Sequence, residues 1–140
     1  MRQYLLDSAP LAGYLHGRKP FVELITPLIQ HYQAATSIMV YAEVIEYLKG
    51  LSDFTHRKKQ LQMLLREVYP YFLTYAILER YADIRRTMRP PHGAGLIGDV
   101  DTLIAATALE RNLTVITADH DFKRVPGLCV HLLDTKTKTK

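Results

Sequence analysis

The sequence predicts an α/β fold, a mostly parallel central sheet with helices on both faces. Three observations carry that expectation. Short apolar or β-branched runs alternate with helical stretches along the whole chain, and strands joined that way are parallel and crossover-connected. Two helical stretches often separate consecutive strands. Acids recur just past the predicted strand ends, at the rim where open α/β sheets bind ligands. At 140 residues the chain is most simply one domain, long enough to bury a core. We set that domain at residues 1–134 and expect the lysine-rich stretch 135–140 to be a frayed tail.

Residues 3–7 read as a first strand ending in Asp7. After a Ser8–Pro10 turn, Pro10 suits the first turn of a short helix reaching Leu15. Gly17–Pro20 reads as a loop, and Phe21 to about Tyr32 as a helix that Pro27 should kink or split. Ala34–Ile38 is a short buried strand by composition. Met39–Lys49 is an amphipathic helix with Tyr41, Val44, Ile45 and Leu48 on one stripe, closed by Gly50. His56–Val68 is a further helix opening on Arg57–Lys59, broken by Pro70 before a third strand at Tyr71–Leu73. Tyr75–Met88 is helical, with Ile77, Tyr81, Ile84 and Met88 on one face and Arg85, Arg86 and Arg89 near its end. A loop over Arg89–Gly95 precedes a helix that starts at Asp101, buries Ile104 and Ala108, and closes at Asn112. Thr114–Thr117 suits an interior strand, and Cys129–Leu133 is the last one.

Bulk properties exclude several classes. No apolar run approaches the roughly 20 residues of a membrane helix, and the N-terminus lacks a signal peptide's apolar region. A single cysteine, Cys129, rules out an intrachain disulfide and a cysteine-rich zinc site, and a reducing cytoplasm fits. The histidines show no HExxH spacing, and there is no Walker loop or Gly-x-Ser-x-Gly elbow. The net charge of +4 leans towards an anionic partner, although the terminal lysines supply three of those charges.

Against that basic background the acids at the sheet rim are informative. Asp7 ends the first strand, Glu43 lies early in the helix after the second, Asp101 starts a later helix, and Asp119 follows the fourth strand. Oxygen-only clusters suit hard divalent cations such as Mg²⁺ or Mn²⁺, and such ions can drive in-line phosphoryl displacement by water. Each acid also has a plainer reading: a turn acceptor for Asp7, a helix-start acid for Glu43, a helix cap for Asp99 or Asp101, a turn acid for Asp119 or Asp121. We assign Asp99 to capping and Asp101 to the site, though the two could exchange. His120, between two acids, reads first as a surface turn residue. The Arg57–Lys59 and Arg85–Arg89 clusters read as solvated faces, or functionally as contacts to a phosphate backbone.

These residues bring the chain to a known family. Tyr4-Leu-Leu-Asp7-Ser8 resembles the opening strand motif, usually written LLDTN, of PIN-domain ribonucleases of the VapC type. Ser37 to Glu43 resembles the segment carrying that family's acidic helix residue, Ile97 to Ala106 its most diagnostic block, and Val115 to Asp119 with Phe122 its closing one. The resemblance implies a PIN-like three-layer sandwich with Asp7, Glu43, Asp101 and Asp119 as a metal-binding quartet. It makes Ser8 and Thr117 hydroxyls that orient those carboxylates or metal-bound waters; Asp99 and Asp121, from our own reading of the residues, stand as further candidate acids beside the site. It also implies Mg²⁺- or Mn²⁺-dependent cleavage of RNA, a homodimer, and a cognate antitoxin protein as inhibitor. One position departs: Ala9 stands where the family usually has Asn, which removes a polar group beside Asp7. The rival expectations are a non-catalytic PIN-like RNA-binding or scaffold domain and an α/β phosphotransfer domain. A haloacid-dehalogenase-type phosphatase would want a second Asp where Ala9 stands, and a receiver would want paired N-terminal acids.

Overall fold

The computed structural model of the chain describes residues 1–134; the tail expected at 135–140 lies outside the described residues. Five strands, β1 (Tyr4–Leu6), β2 (Ala34–Ser37), β3 (Tyr69–Tyr71), β4 (Thr114–Thr117) and β5 (Val130–Leu132), form one sheet in the order β3-β2-β1-β4-β5. Every pairing is parallel, with Leu5 opposite Ala35 on one side and Val115 on the other. Helices α1 (Ser8–Leu15) and α2 (Lys19–Gln30) join β1 to β2, α3 (Ile38–Lys49) and α4 (Phe54–Leu64) join β2 to β3, and α5 (Tyr75–Met88) and α6 (Asp99–Arg111) carry the chain from β3 to β4. A short 3₁₀ turn, His120–Arg124, leads to β5. The chain leaves β1 towards one edge of the sheet and leaves β4 towards the other. A crevice therefore opens between the carboxyl ends of β1 and β4.

The core follows from the composition of these elements. β2 is buried along its whole length, so its small residues Ala34–Ser37 can take helices on both faces. Leu5, Leu6, Ile104, Ile116 and Phe122 are fully or almost fully enclosed. Helix α1 packs on α2, α3 and α4, and α5 packs on α6. Ile104 through Ala108 are all buried, a wider face than the two positions expected, because α6 meets α5, α3 and β4 at once. Caps fix the element ends: Ser37 Oγ accepts from Met39 N, Thr74 Oγ1 accepts from Ile77 N, and Asn112 closes α6 in the left-handed region at φ 58°.

Several boundaries differ from expectation for physical reasons. Helix α2 starts at Lys19, because Pro20 fits a first turn that needs no N–H, and it runs through Pro27 as one element. Pro27 and Glu23, whose carbonyl it leaves without a helical partner, are both exposed, so water can take that acceptor. Helix α4 occupies Phe54–Leu64, its start tied by Arg57 Nε donating to the Asp53 carboxylate at 3.0 Å. The third strand contains Pro70 instead of following it. β3 is an edge strand paired only with β2, so a residue without an N–H is tolerated there.

Where α1 crosses α2, Gly13 leaves room for the buried ring of Phe21. A Cβ at Gly13 would lie 2.1 Å from Phe21 Cδ2. Gly13→Ala should therefore lower stability by about 1–3 kcal/mol through overpacking, although alanine is the better helix former. Urea denaturation should show a lower midpoint at unchanged slope. A midpoint at or above wild type would mean that Phe21 moves aside freely.

Candidate metal centre

The end of β1 delivers Asp7 to the crevice. Its backbone N–H still bonds to Ile116 O of β4 at 3.0 Å, so the ladder extends through it. Its side chain is 7% exposed. Thr117, at the end of β4 and fully buried, donates Oγ1–H to Asp7 Oδ2 at 2.6 Å and accepts from Asp119 N at 3.0 Å. One hydroxyl thus orients one carboxylate and pins the backbone that carries another. Asp119 Oδ1 in turn accepts from Asp121 N at 2.9 Å, capping the 3₁₀ turn. From α3, Glu43 Oε1 accepts from Ser8 Oγ at 2.5 Å.

Asp7, Glu43, Asp101 and Asp119 line a single open depression of about 570 Å³ at the carboxyl end of the sheet, together with Ser8, Ala9, Ala118 and His120. Carboxylate oxygens of Asp101, Asp119 and Asp121 all lie within 4.8 Å of one another. Asp121, which the sequence places beside the site, is therefore in the tightest acidic trio, while Asp7 and Glu43 occupy the same depression. Asp121 also lies 3.6 Å from Arg124 Nη1.

Asp99 does not cap α6. Gly98 holds the cap position, and Asp99 is the first helical residue. Its carboxylate accepts from Arg85 Nη1 at 2.7 Å and from Tyr81 Oη at 3.1 Å, tying α6 to α5. Asp101, two residues on, faces the depression instead. Arg85 is accordingly spoken for, whereas Arg86 and Arg89 are exposed.

Crowding of like charge shows in the titration of the site. Burial raises the Asp101 carboxyl, the charges of Asp7, Asp119 and Glu43 raise it further, and a hydrogen bond to Asp119 favours its protonated form, bringing it to about 7. Asp7 is also raised, chiefly by burial, against the opposing hydrogen bonds from Thr117 and the Ser8 N–H. The residues lining the depression include neither lysine nor arginine. An oxygen-only donor set that crowds negative charge in this way fits a hard divalent cation such as Mg²⁺ or Mn²⁺.

Comparisons with known proteins show the family of this fold. The family model for the PIN domain matches residues 4–128. Among solved structures, the chain is similar to VapBC2 from Rickettsia felis bound to a DNA fragment from its promoter, at a TM-score of 0.81 and 21% identity over 94% of this chain and 98% of that one. It is similar to VapBC-1 from nontypeable Haemophilus influenzae, at 0.75 and 23% over 92% and 96% of the two chains. A toxin–antitoxin complex from Klebsiella pneumoniae matches at 0.70 and 21%, over 94% of this chain and 100% of that one. No curated protein sequence matches the chain.

Proposed function

This chain belongs to the PIN-domain family, and from that premise we propose that it is a divalent-metal-dependent endoribonuclease, the toxin of a toxin–antitoxin pair. The observation that carries the reading is the meeting of Asp7, Glu43, Asp101 and Asp119 in one depression at the crevice between β1 and β4. Mg²⁺ or Mn²⁺ held by these carboxylates would supply positive charge against the scissile phosphate and acidify the attacking water. The protein's own contribution is positional. Thr117 holds Asp7 and the Asp119 backbone, and Ser8 holds Glu43, so the donors are set before substrate arrives. The absent Asn at position 9 leaves Ala9 on the wall of the depression, while the two hydroxyls still orient the acids. Basic residues outside the depression, including Lys58, Lys59, Arg86 and Arg89, take the RNA backbone without reading its sequence.

The similar VapBC and toxin–antitoxin structures support an antitoxin as partner, and a homodimer belongs to the same proposal. Among the described residues no helix is long and apolar enough to cross a membrane, and we place the protein in the cytoplasm.

The test is cleavage of a mixed pool of structured RNAs. Wild type should cut in Mg²⁺ or Mn²⁺, stop in EDTA, and resume when the ion is restored. Contaminant-free cutting that persists in chelator would sink the metal mechanism. If no RNA is cut in any ion and Mn²⁺ does not bind, the non-catalytic RNA-binding alternative takes its place.

A further inference from the structure

Helix α6, which carries Asp101 to the depression, is held at its start from two sides. Arg85 of α5 takes Asp99. The second hold comes from Arg124, at the end of the 3₁₀ turn that also carries Asp121. Side chains at i and i+3 eclipse in such a turn, which sets the Arg124 guanidinium beside the Asp121 carboxylate, Nη1 to Oδ1 at 3.6 Å. Nη2 of the same group donates to Gly95 O at 2.6 Å. Gly95 has φ 129°, which glycine takes readily, and its N–H bonds to Met88 O at 2.9 Å. Both backbone groups of this residue are thus fixed, shortly before Gly98 caps α6. Between loop and turn lies a hollow of about 330 Å³, lined by Met88, His92, Gly95, Arg124 and Pro126 among others. Buried Phe122 and Val125 anchor the turn on either side of Arg124. Of Asp7, Glu43, Asp101, Asp119 and Asp121, only Asp121 has an ion pair among the described residues.

We infer that Arg124 is a positioning residue of the metal centre; this rests on the metal-dependent reading above. One guanidinium fork holds Asp121 beside Asp101 and Asp119 and also holds the segment that leads into α6. The spacing of the three carboxylates is thereby set before an ion arrives. The role needs arginine, whose planar fork presents several donors in fixed directions, whereas an ammonium is a single point charge. Arg124 does not line the depression, so it acts through the acids and not on the scissile phosphate. A cation beside a cation site also repels the incoming ion, and that effect has the opposite sign. Arg124 is 40% exposed, so solvent and salt screen the repulsion. Loosening a residue that orients metal donors costs about 10–100-fold in affinity. Positioning therefore outweighs repulsion.

The test is calorimetric titration of Mn²⁺ into wild type, Arg124→Lys and Arg124→Gln, with RNA cleavage followed at low and at saturating Mn²⁺. Both variants should bind Mn²⁺ about tenfold more weakly, because neither side chain spans Asp121 and Gly95. Cleavage should fall at low Mn²⁺ and return close to wild type at saturation, with KM for RNA unchanged. The metal-free melting temperature should stay near that of wild type, since an exposed ion pair adds little stability. Wild-type Mn²⁺ affinity in both variants overturns the inference, and a raised KM for RNA would then make Arg124 a phosphate contact. Tighter Mn²⁺ binding by Arg124→Gln with Arg124→Lys unchanged also overturns it, because charge alone would then matter. Either result leaves the nuclease reading standing, since wild type still binds the ion and cuts RNA. No Mn²⁺ binding by wild type removes both readings together.

Discussion

Asp101→Asn should abolish RNA cleavage while raising the melting temperature of the metal-free protein at pH 8. The two effects share one cause. Asp101 is a partly buried carboxylate forced among Asp7, Asp119 and Glu43, and its folded pKa of about 7 stands above the ordinary 3.8 of an aspartate. A group raised in that direction stabilises the fold when protonated. Its contribution is complete below pH 3.8 and is lost as pH rises through about 7. Asparagine keeps the volume and never ionises, so it escapes that loss. After discounting for the solvent that screens a partly exposed carboxylate, the gain at pH 8 is on the order of 2 kcal/mol. For a chain of this size that is about 6 °C in Tm. At pH 5 the advantage should largely vanish. With Mn²⁺ present the order should reverse, since wild type alone gains from binding the ion. Mn²⁺ affinity should also fall as pH drops from 8 to 6, because protons compete for the same oxygens. Thermal melts of both proteins at pH 5 and pH 8, with and without Mn²⁺, check all of this. Equal melting temperatures under all four conditions, with cleavage retained in the variant, would remove Asp101 from the metal centre.

The result would also separate stability from function at this rim. A protein of net charge +4 gathers acids in one depression at the cost of mutual repulsion. Nothing in the packing of the core requires Asp101 to be charged, whereas Asp99 is engaged by Arg85 and Tyr81. The contrast between these neighbours on α6 is what a site residue beside a structural one looks like. Asp99→Asn should be read in that light, as a change at the α5–α6 contact.

How much of this was legible in the sequence depends on the range of the interaction concerned. The alternation of strands and helices, the close of α6 at Asn112, and the position of acids past β1 and β4 are local features, and the structure carries them. Pro70 reads as a breaker because propensity treats every strand as paired on both sides; it sits within β3 because that strand is at the edge. Pro27 is tolerated because its face of α2 looks to solvent. Asp99 reads as a cap because the residues that claim it, Tyr81 and Arg85, lie more than ten positions away. The approach of Asp121 to Asp101 and Asp119 depends on the 3₁₀ turn that the Asp119 carboxylate caps, and an Asp-His-Asp spacing alone does not announce it. The apolar groove beside the acids was not legible at all: His16 just past the end of α1, Phe21 on α2 and Tyr47 on α3 look like ordinary amphipathic positions until those elements are packed.

Thr117→Val should cost about 2–3 kcal/mol of stability and most of the activity. Valine matches threonine in shape, so the core of β4 is kept and only the hydroxyl is lost. That hydroxyl donates to Asp7 Oδ2 and accepts from Asp119 N, and removing it strands a buried carboxylate, which costs more than an ordinary hydrogen bond. The pH dependence distinguishes this cause from a packing defect. The Thr117 hydrogen bond favours ionised Asp7, in opposition to the burial that raises its pKa. Without the hydroxyl the Asp7 pKa rises further. The penalty should then be small in acid, where Asp7 is protonated in both proteins, and should grow as pH rises through the folded pKa of Asp7. Urea titrations of wild type and variant from pH 4 to pH 8 read this directly. A penalty that does not change with pH would show that the hydroxyl stabilises through the Asp119 N–H alone and not through the Asp7 carboxylate. A pH-dependent penalty with full activity retained would show that the hydroxyl stabilises Asp7 without positioning it for chemistry. Stability and cleavage lost together as pH rises would tie the orientation of the buried carboxylate to both.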